Sequence, residues 1–193
     1  MANALTAVRL LLAAPVAGAF ARPELVNPTF LLVLLCVAIG TDYYDGRVAR
    51  AMGVSSPAGQ LFDHSTDCVF VSAGLTGLAI VGPVPVVLPA LVIVAFVQYV
   101  MDSYWWHQEK QLRMSVIGRW NGILYFAPLM IIAASRLGVF GATERFLVLT
   151  AEIVGYVLVV STIVSIADRA VAPSMILAWH CCRELTQWHA GKC

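Results

Sequence analysis

The chain has 193 residues, of which 60% are hydrophobic and 12% charged, with a formal net charge of +1. Soluble domains carry about 25% charged residues, so polar surface is too scarce here to coat a water-soluble globule. Near-neutral charge gives no footing for a nucleic-acid partner or an acidic substrate, and the long apolar blocks read as an integral membrane protein.

Six segments are long enough to span or nearly span a bilayer, at residues 5–21, 29–51, 59–81, 85–107, 117–136 and 146–169, allowing ~20 residues per crossing. The first, "NALTAVRLLLAAPVAGAFA", ends like a signal-peptide cleavage site. Its only side-chain charge ahead of the apolar run is Arg9, after eight uncharged residues, so a retained helix is expected. "ARPELVNP", "GPVPVVLP" and "GVFGATER" supply turns after the first, third and fifth segments. Glycine there permits unusual backbone angles, and proline cannot continue a hydrogen-bonded helix. No linker or composition shift divides the chain, which reads as one all-α domain over 1–193 with a cytoplasmic tail at 171–193. The cysteines at 36, 68, 181, 182 and 193 match no common zinc spacing.

Basic residues fix the expected orientation. With the N-terminus in the cytoplasm, Arg9, Arg47, Arg50, Lys110, Arg113, Arg119, Arg169, Arg183 and Lys192 fall inside, against Arg22, Arg136 and Arg145 outside. That asymmetry obeys the positive-inside bias.

The stretch "TDYYDGRVARAMGVSSPAGQLFDHSTD" then places Asp42, Asp45, Asp63 and Asp67 at the cytoplasmic mouth of the second and third helices. Residues three apart on a helix lie about 60° from alignment and residues four apart about 40°, so each pair shares a face. "MGVSSPAG" between them is rich in turn formers, so the helices run antiparallel and the pairs can meet. A single aspartate at a helix centre costs about 2.5–3.5 kcal/mol, which makes four carboxylates sensible only around cations. All-oxygen donors favour Mg²⁺ or Mn²⁺, and four negative charges balance two such ions. Surface pairing of Asp42 or Asp45 with Arg47 or Arg50 is the plainer alternative, but it leaves Asp63 and Asp67 unexplained. Gly46 and Gly59 beside the two pairs allow close approach of a ligand.

Asp42-x-x-Asp45-Gly46-x-x-Ala49-Arg50, eight residues, then Gly59-x-x-x-Asp63-x-x-x-Asp67 resembles the signature of the CDP-alcohol phosphatidyltransferase family. Asn3-x-x-Thr6-x-x-Arg9 resembles the start of its phosphatidylglycerophosphate synthases, with Pro15 one residue later than usual. The resemblance implies a six-helix membrane bundle, two bound Mg²⁺ or Mn²⁺ ions, homodimers, and attack of a hydroxyl on a CDP-linked substrate with loss of CMP. Carried over by position, Asp42, Asp45, Asp63 and Asp67 resemble the metal ligands and Asp67 also the general base. Gly46, Ala49, Arg50 and Gly59, with Asn3 and Thr6, resemble the nucleotide-binding positions.

The resemblance divides over substrates. Chain length and "NALTAVR" imply CDP-diacylglycerol with glycerol 3-phosphate, for which Lys110, Arg113 and Arg119 are candidate anion-binding residues. "SSPAGQLFDH" is similar to choline and ethanolamine phosphotransferases, while inositol phosphate and serine remain open. His64 reads as either a histidine lining the site or, rather more readily, an interfacial one. A different class, a small ion or proton carrier, would use Asp102, Glu152 and Asp168 as a relay. Gly118 with Gly122 forms a small-x-x-x-small spacing, and Gly74 and Gly77 thin another helix.

Overall fold

The computed structural model describes the backbone of residues 2–51, 57–103 and 116–190, and the side chains of 6–41, 58–103, 117–141 and 143–170. Helices α1 (Ala2–Ala21), α2 (Pro28–Ala51), α3 (Pro57–Val81), α4 (Val87–Met101), α5 (Val116–Leu124), α6 (Phe126–Ser135) and α7 (Glu144–Ala190) build it, and no strand occurs among the described residues. Among those residues, Ala58–Val81, Ile117–Ser135 and Glu144–Ala170 are long and apolar enough to cross a membrane, and Thr6–Ala21, Pro28–Thr41 and Val87–Met101 are shorter apolar helices. An integral membrane, all-α protein is therefore what the chain forms.

Local chemistry sets the helix ends. Prolines open α2 and α3, where a missing N–H costs nothing. Asn27 adds a side-chain acceptor for the Thr29 N–H at 2.9 Å. Past Val81, Gly82 takes φ +103° while its N–H bonds the Leu78 carbonyl at 3.0 Å, stopping α3 where the sequence implies. The expected fifth segment is interrupted at Tyr125, between α5 and α6. Pro128, three residues on, has no N–H for the Leu124 carbonyl, and its ring crowds that turn. The expected sixth segment runs on past 169 as helical backbone to Ala190.

Helix α1 makes its most extensive contact with α3. Phe20, Phe70, Leu75 and Leu78 are fully buried in the core. A Cβ added at Gly77 would lie 2.3 Å from the Ala17 carbonyl oxygen, and one at Gly74 would lie 2.9 Å from Leu129. These two glycines are thus used in packing within the chain, whereas a Cβ at Gly122 meets nothing within 4 Å. Close backbone approach through small residues is the principal way membrane helices gain packing. Gly77→Ala is accordingly expected to destabilise the protein by about 1–3 kcal/mol, the usual cost of overpacking, because a backbone carbonyl cannot rotate away. A thermal melt in detergent should show the drop, with Gly122→Ala unchanged.

The far end of α1 is held by α6. Arg136 donates to the carbonyls of Ala19 at 3.1 Å and Phe20 at 2.9 Å, two acceptors that the helix end cannot satisfy itself. Its guanidinium carbon also lies 5.5 Å from the centre of the Phe20 ring. The two carbonyls offset the cost of half-burying the guanidinium. Between α5 or its junction and α7, the Tyr125 hydroxyl meets that of Thr162 at 2.7 Å, and Ser161 donates to Asn121 at 2.7 Å. These bonds satisfy polar groups that would be costly in an apolar interior.

Candidate active site

Three side chains at the start of α3 converge. On an ideal helix Asp67 lies about 40° from Asp63 on one side and about 60° from His64 on the other. One donor atom from each of the three lies within 4.8 Å of the others, and all three residues are half-buried.

Helix α1 closes the Asp63 side. Thr6 and Arg9, three residues apart, share a face of α1, and both are buried. The Thr6 hydroxyl donates to Asp63 Oδ1 at 3.3 Å. Arg9 Nη1 donates to Asp67 Oδ1 and lies 3.7 Å from Asp63 Oδ1. The Arg9 side chain is only 3% exposed, against 35% for Asp63 and 22% for Asp67. A buried guanidinium thus engages one oxygen of each carboxylate while both carboxylates stay partly exposed.

Helices α4 and α7 close the His64 side. The imidazole packs edge-on to Tyr99, with ring centres 6.4 Å apart. Arg169 of α7 sits 5.1 Å from the Tyr99 ring centre and 3.6 Å from the Asp102 carboxylate. Gln98 ties α4 to α7 by donating to the Ile166 carbonyl at 3.0 Å. A second cation therefore stands one aromatic ring behind the acidic face.

Of the residues expected at the site, Asp63, Asp67 and Thr6 come together directly, and Gly59 lies half-buried on the opening turn of α3. Asp42, Asp45, Gly46, Ala49 and Arg50 lie on helical backbone at the end of α2, and Asn3 on that of α1; their side chains are outside the described residues. Arg119 is exposed on α5, and Lys110 and Arg113 lie outside the described residues. Arg9, Tyr99 and Arg169 were not singled out as site residues. Arg9 carried a signal, an arginine in an apolar helix that has no acidic residue of its own.

Among the described residues, the three acids of the carrier alternative do not form a relay. Asp102 pairs with Arg169, Asp168 is exposed, and Glu152 is sixteen residues from it on α7, about 24 Å at 1.5 Å per residue.

Two carboxylates beside an imidazole, open on one side and backed by a neutralising arginine, form a donor set that suits a divalent cation. The chain is 37% identical over 82 residues to the archaetidylinositol phosphate synthase of Aeropyrum pernix, a stretch covering 42% of either protein. The match thus spans less than half of that relative's length, and no solved structure matches. The family model of the CDP-alcohol phosphatidyltransferases, a family that uses divalent metal, matches residues 1–167 and so takes in α1 and the acidic face of α3, ending two residues before Arg169. On that match, covering most of its length, the chain belongs to the CDP-alcohol phosphatidyltransferase family.

Proposed function

We propose that this protein transfers a phosphatidyl-type group from a CDP-linked lipid to a hydroxyl of a phosphorylated polyol, releasing CMP at the cytoplasmic face of the membrane. The observation that carries the reading is the docking of Thr6 and Arg9, from the signature-like start, onto Asp63 and Asp67 of the acidic motif. Two parts of the chain that resemble the family separately thus meet in one site.

In the reaction the acceptor oxygen bonds to the β-phosphorus as the bond to CMP breaks, and the acceptor's proton passes to Asp67. Asp67 suits that role because Arg9 orients its carboxylate through Oδ1, and a base must be held within hydrogen-bond reach of its proton. Asp42, Asp45, Asp63 and Asp67 would hold two Mg²⁺ or Mn²⁺ ions, which offset the charge of the pyrophosphate and of departing CMP. Gly46, Ala49, Arg50 and Gly59, with Asn3, border the nucleotide in this reading, and a homodimer in the bacterial inner membrane is its working form.

The opening of the chain supports glycerol 3-phosphate as acceptor, and the similarity to an archaetidylinositol phosphate synthase supports an inositol phosphate. Both are anionic, and Arg169 joins Lys110, Arg113 and Arg119 as a cation for such a group. The test is CMP release by the detergent-solubilised protein with Mg²⁺ or Mn²⁺. It is offered CDP-diacylglycerol with each phosphorylated polyol, and CDP-choline with diacylglycerol. Turnover with a phosphorylated polyol is expected. Turnover with the CDP-choline pair alone would overturn the acceptor assignment and favour the "FDH" similarity.

A further inference from the structure

We propose that His64 is a nitrogen ligand to the metal held by Asp63 and Asp67, and that it tilts the site towards Mn²⁺ over Mg²⁺. The inference rests on the reading that this acidic face binds divalent metal.

The argument begins with position on the helix. Asp67 lies between Asp63 and His64 around the α3 axis, so a cation bound by Asp67 can be reached from both sides. The donor atoms of the three already lie within 4.8 Å of one another. Metal–oxygen and metal–nitrogen bonds of about 2.0–2.2 Å place opposite ligands roughly 4–4.4 Å apart, so only a small contraction around the ion is needed. Asp63 is already drawn towards α1 by Thr6. His64 is steadied on the opposite side by the edge of Tyr99 at 6.4 Å, and Arg169 lies over that same ring at 5.1 Å. The two carboxylates are therefore supported from α1 and the imidazole from α4, with α7 behind the Tyr99 ring.

The choice of donor has a chemical consequence. Mg²⁺ takes oxygen almost exclusively and keeps its waters, whereas imidazole is a good ligand for transition metals. Replacing one water by imidazole nitrogen should raise affinity for Mn²⁺ while leaving that for Mg²⁺ nearly as it was. An interfacial histidine without a bonding role would show neither effect.

The experiment uses the full, untagged chain in detergent, stripped of metal and loaded with Mn²⁺ alone. Pulsed electron paramagnetic resonance of the wild type should show a directly bound ¹⁴N, and His64→Gln should lose it. Titration should show Mn²⁺ affinity falling by at least about tenfold in His64→Gln, the cost typical of losing even a group that supports a ligand, with Mg²⁺ affinity changed far less. A wild-type spectrum without ¹⁴N coupling, or coupling that survives His64→Gln, overturns the inference, and the wild-type spectrum does so whether or not the variant folds. Protein that binds Mn²⁺ through oxygen alone and still releases CMP overturns this inference and leaves the proposed function standing. Protein that neither binds Mn²⁺ nor releases CMP overturns both.

Discussion

Asp67→Asn is expected to lower CMP release by about 10²–10⁴-fold, the range typical of removing a positioned general base. Asparagine keeps the shape and an oxygen that still accepts from Arg9, and Asp63 still faces the guanidinium at 3.7 Å, so the α1–α3 contact survives with a drop in melting temperature smaller than that of Arg9→Ala. What disappears is a carboxylate able to take the acceptor's proton. Asp63→Asn provides the contrast. Asp63 accepts from Thr6 and lies 3.7 Å from Arg9, and its expected task is to hold metal. Its loss should therefore be recovered in part by raising Mn²⁺, while that of Asp67→Asn should not. Equal rescue of both variants would show that Asp67 acts only through the metal. Ion flux altered by Asp67→Asn in a protein that releases no CMP would instead revive a carrier.

The acidic face of α3 was legible because aspartates are expensive in apolar helices and a spacing of four puts Asp63 and Asp67 on one side; the side chains of Asp42 and Asp45 lie outside the described residues. The same logic placed α1, α2 and α3 within a few residues of their observed ends, since proline and glycine bound them. The break at Tyr125 was missed because hydropathy is continuous across it, and Pro128 acts one turn upstream of its own position. The continuation of α7 was missed because the end of apolarity at 169 was taken as the end of the helix, yet backbone hydrogen bonding needs no apolar side chain. Tertiary pairings had still weaker signals. Arg136 bonds carbonyls more than a hundred positions away, and no local pattern marks such a partner. Arg169 was counted only for its sign in the orientation argument; its place behind Tyr99 depends on how α4 and α7 cross. Gly74 and Gly77 were noticed as small, but only packing shows that Leu129 and Ala17 fill the space beside them.

Arg9→Ala is expected to reduce turnover by about two orders of magnitude while leaving Mn²⁺ affinity undiminished or raised. The sign follows from charge. Arg9 is a fixed positive group against the two carboxylates proposed to bind metal, so it competes with any cation there. Taking it away removes that competition and strengthens the carboxylates' field. Turnover should fall nonetheless, because Asp67 then loses the donor that fixes one of its oxygens, and a misplacement of about 1 Å can cost 10²-fold. Stability should fall as well. Breaking a buried ion pair costs about 3–5 kcal/mol, and the partial exposure of both aspartates reduces this towards the surface-pair range. Arg9→Lys separates charge from geometry: the ammonium restores the positive charge but not the planar fork that orients a carboxylate. Lysine should therefore regain most of the melting temperature and little of the turnover. If Arg9→Ala instead weakened Mn²⁺ binding in parallel with turnover, Arg9 would be shaping the metal site itself, and its role in aligning Asp67 would be refuted.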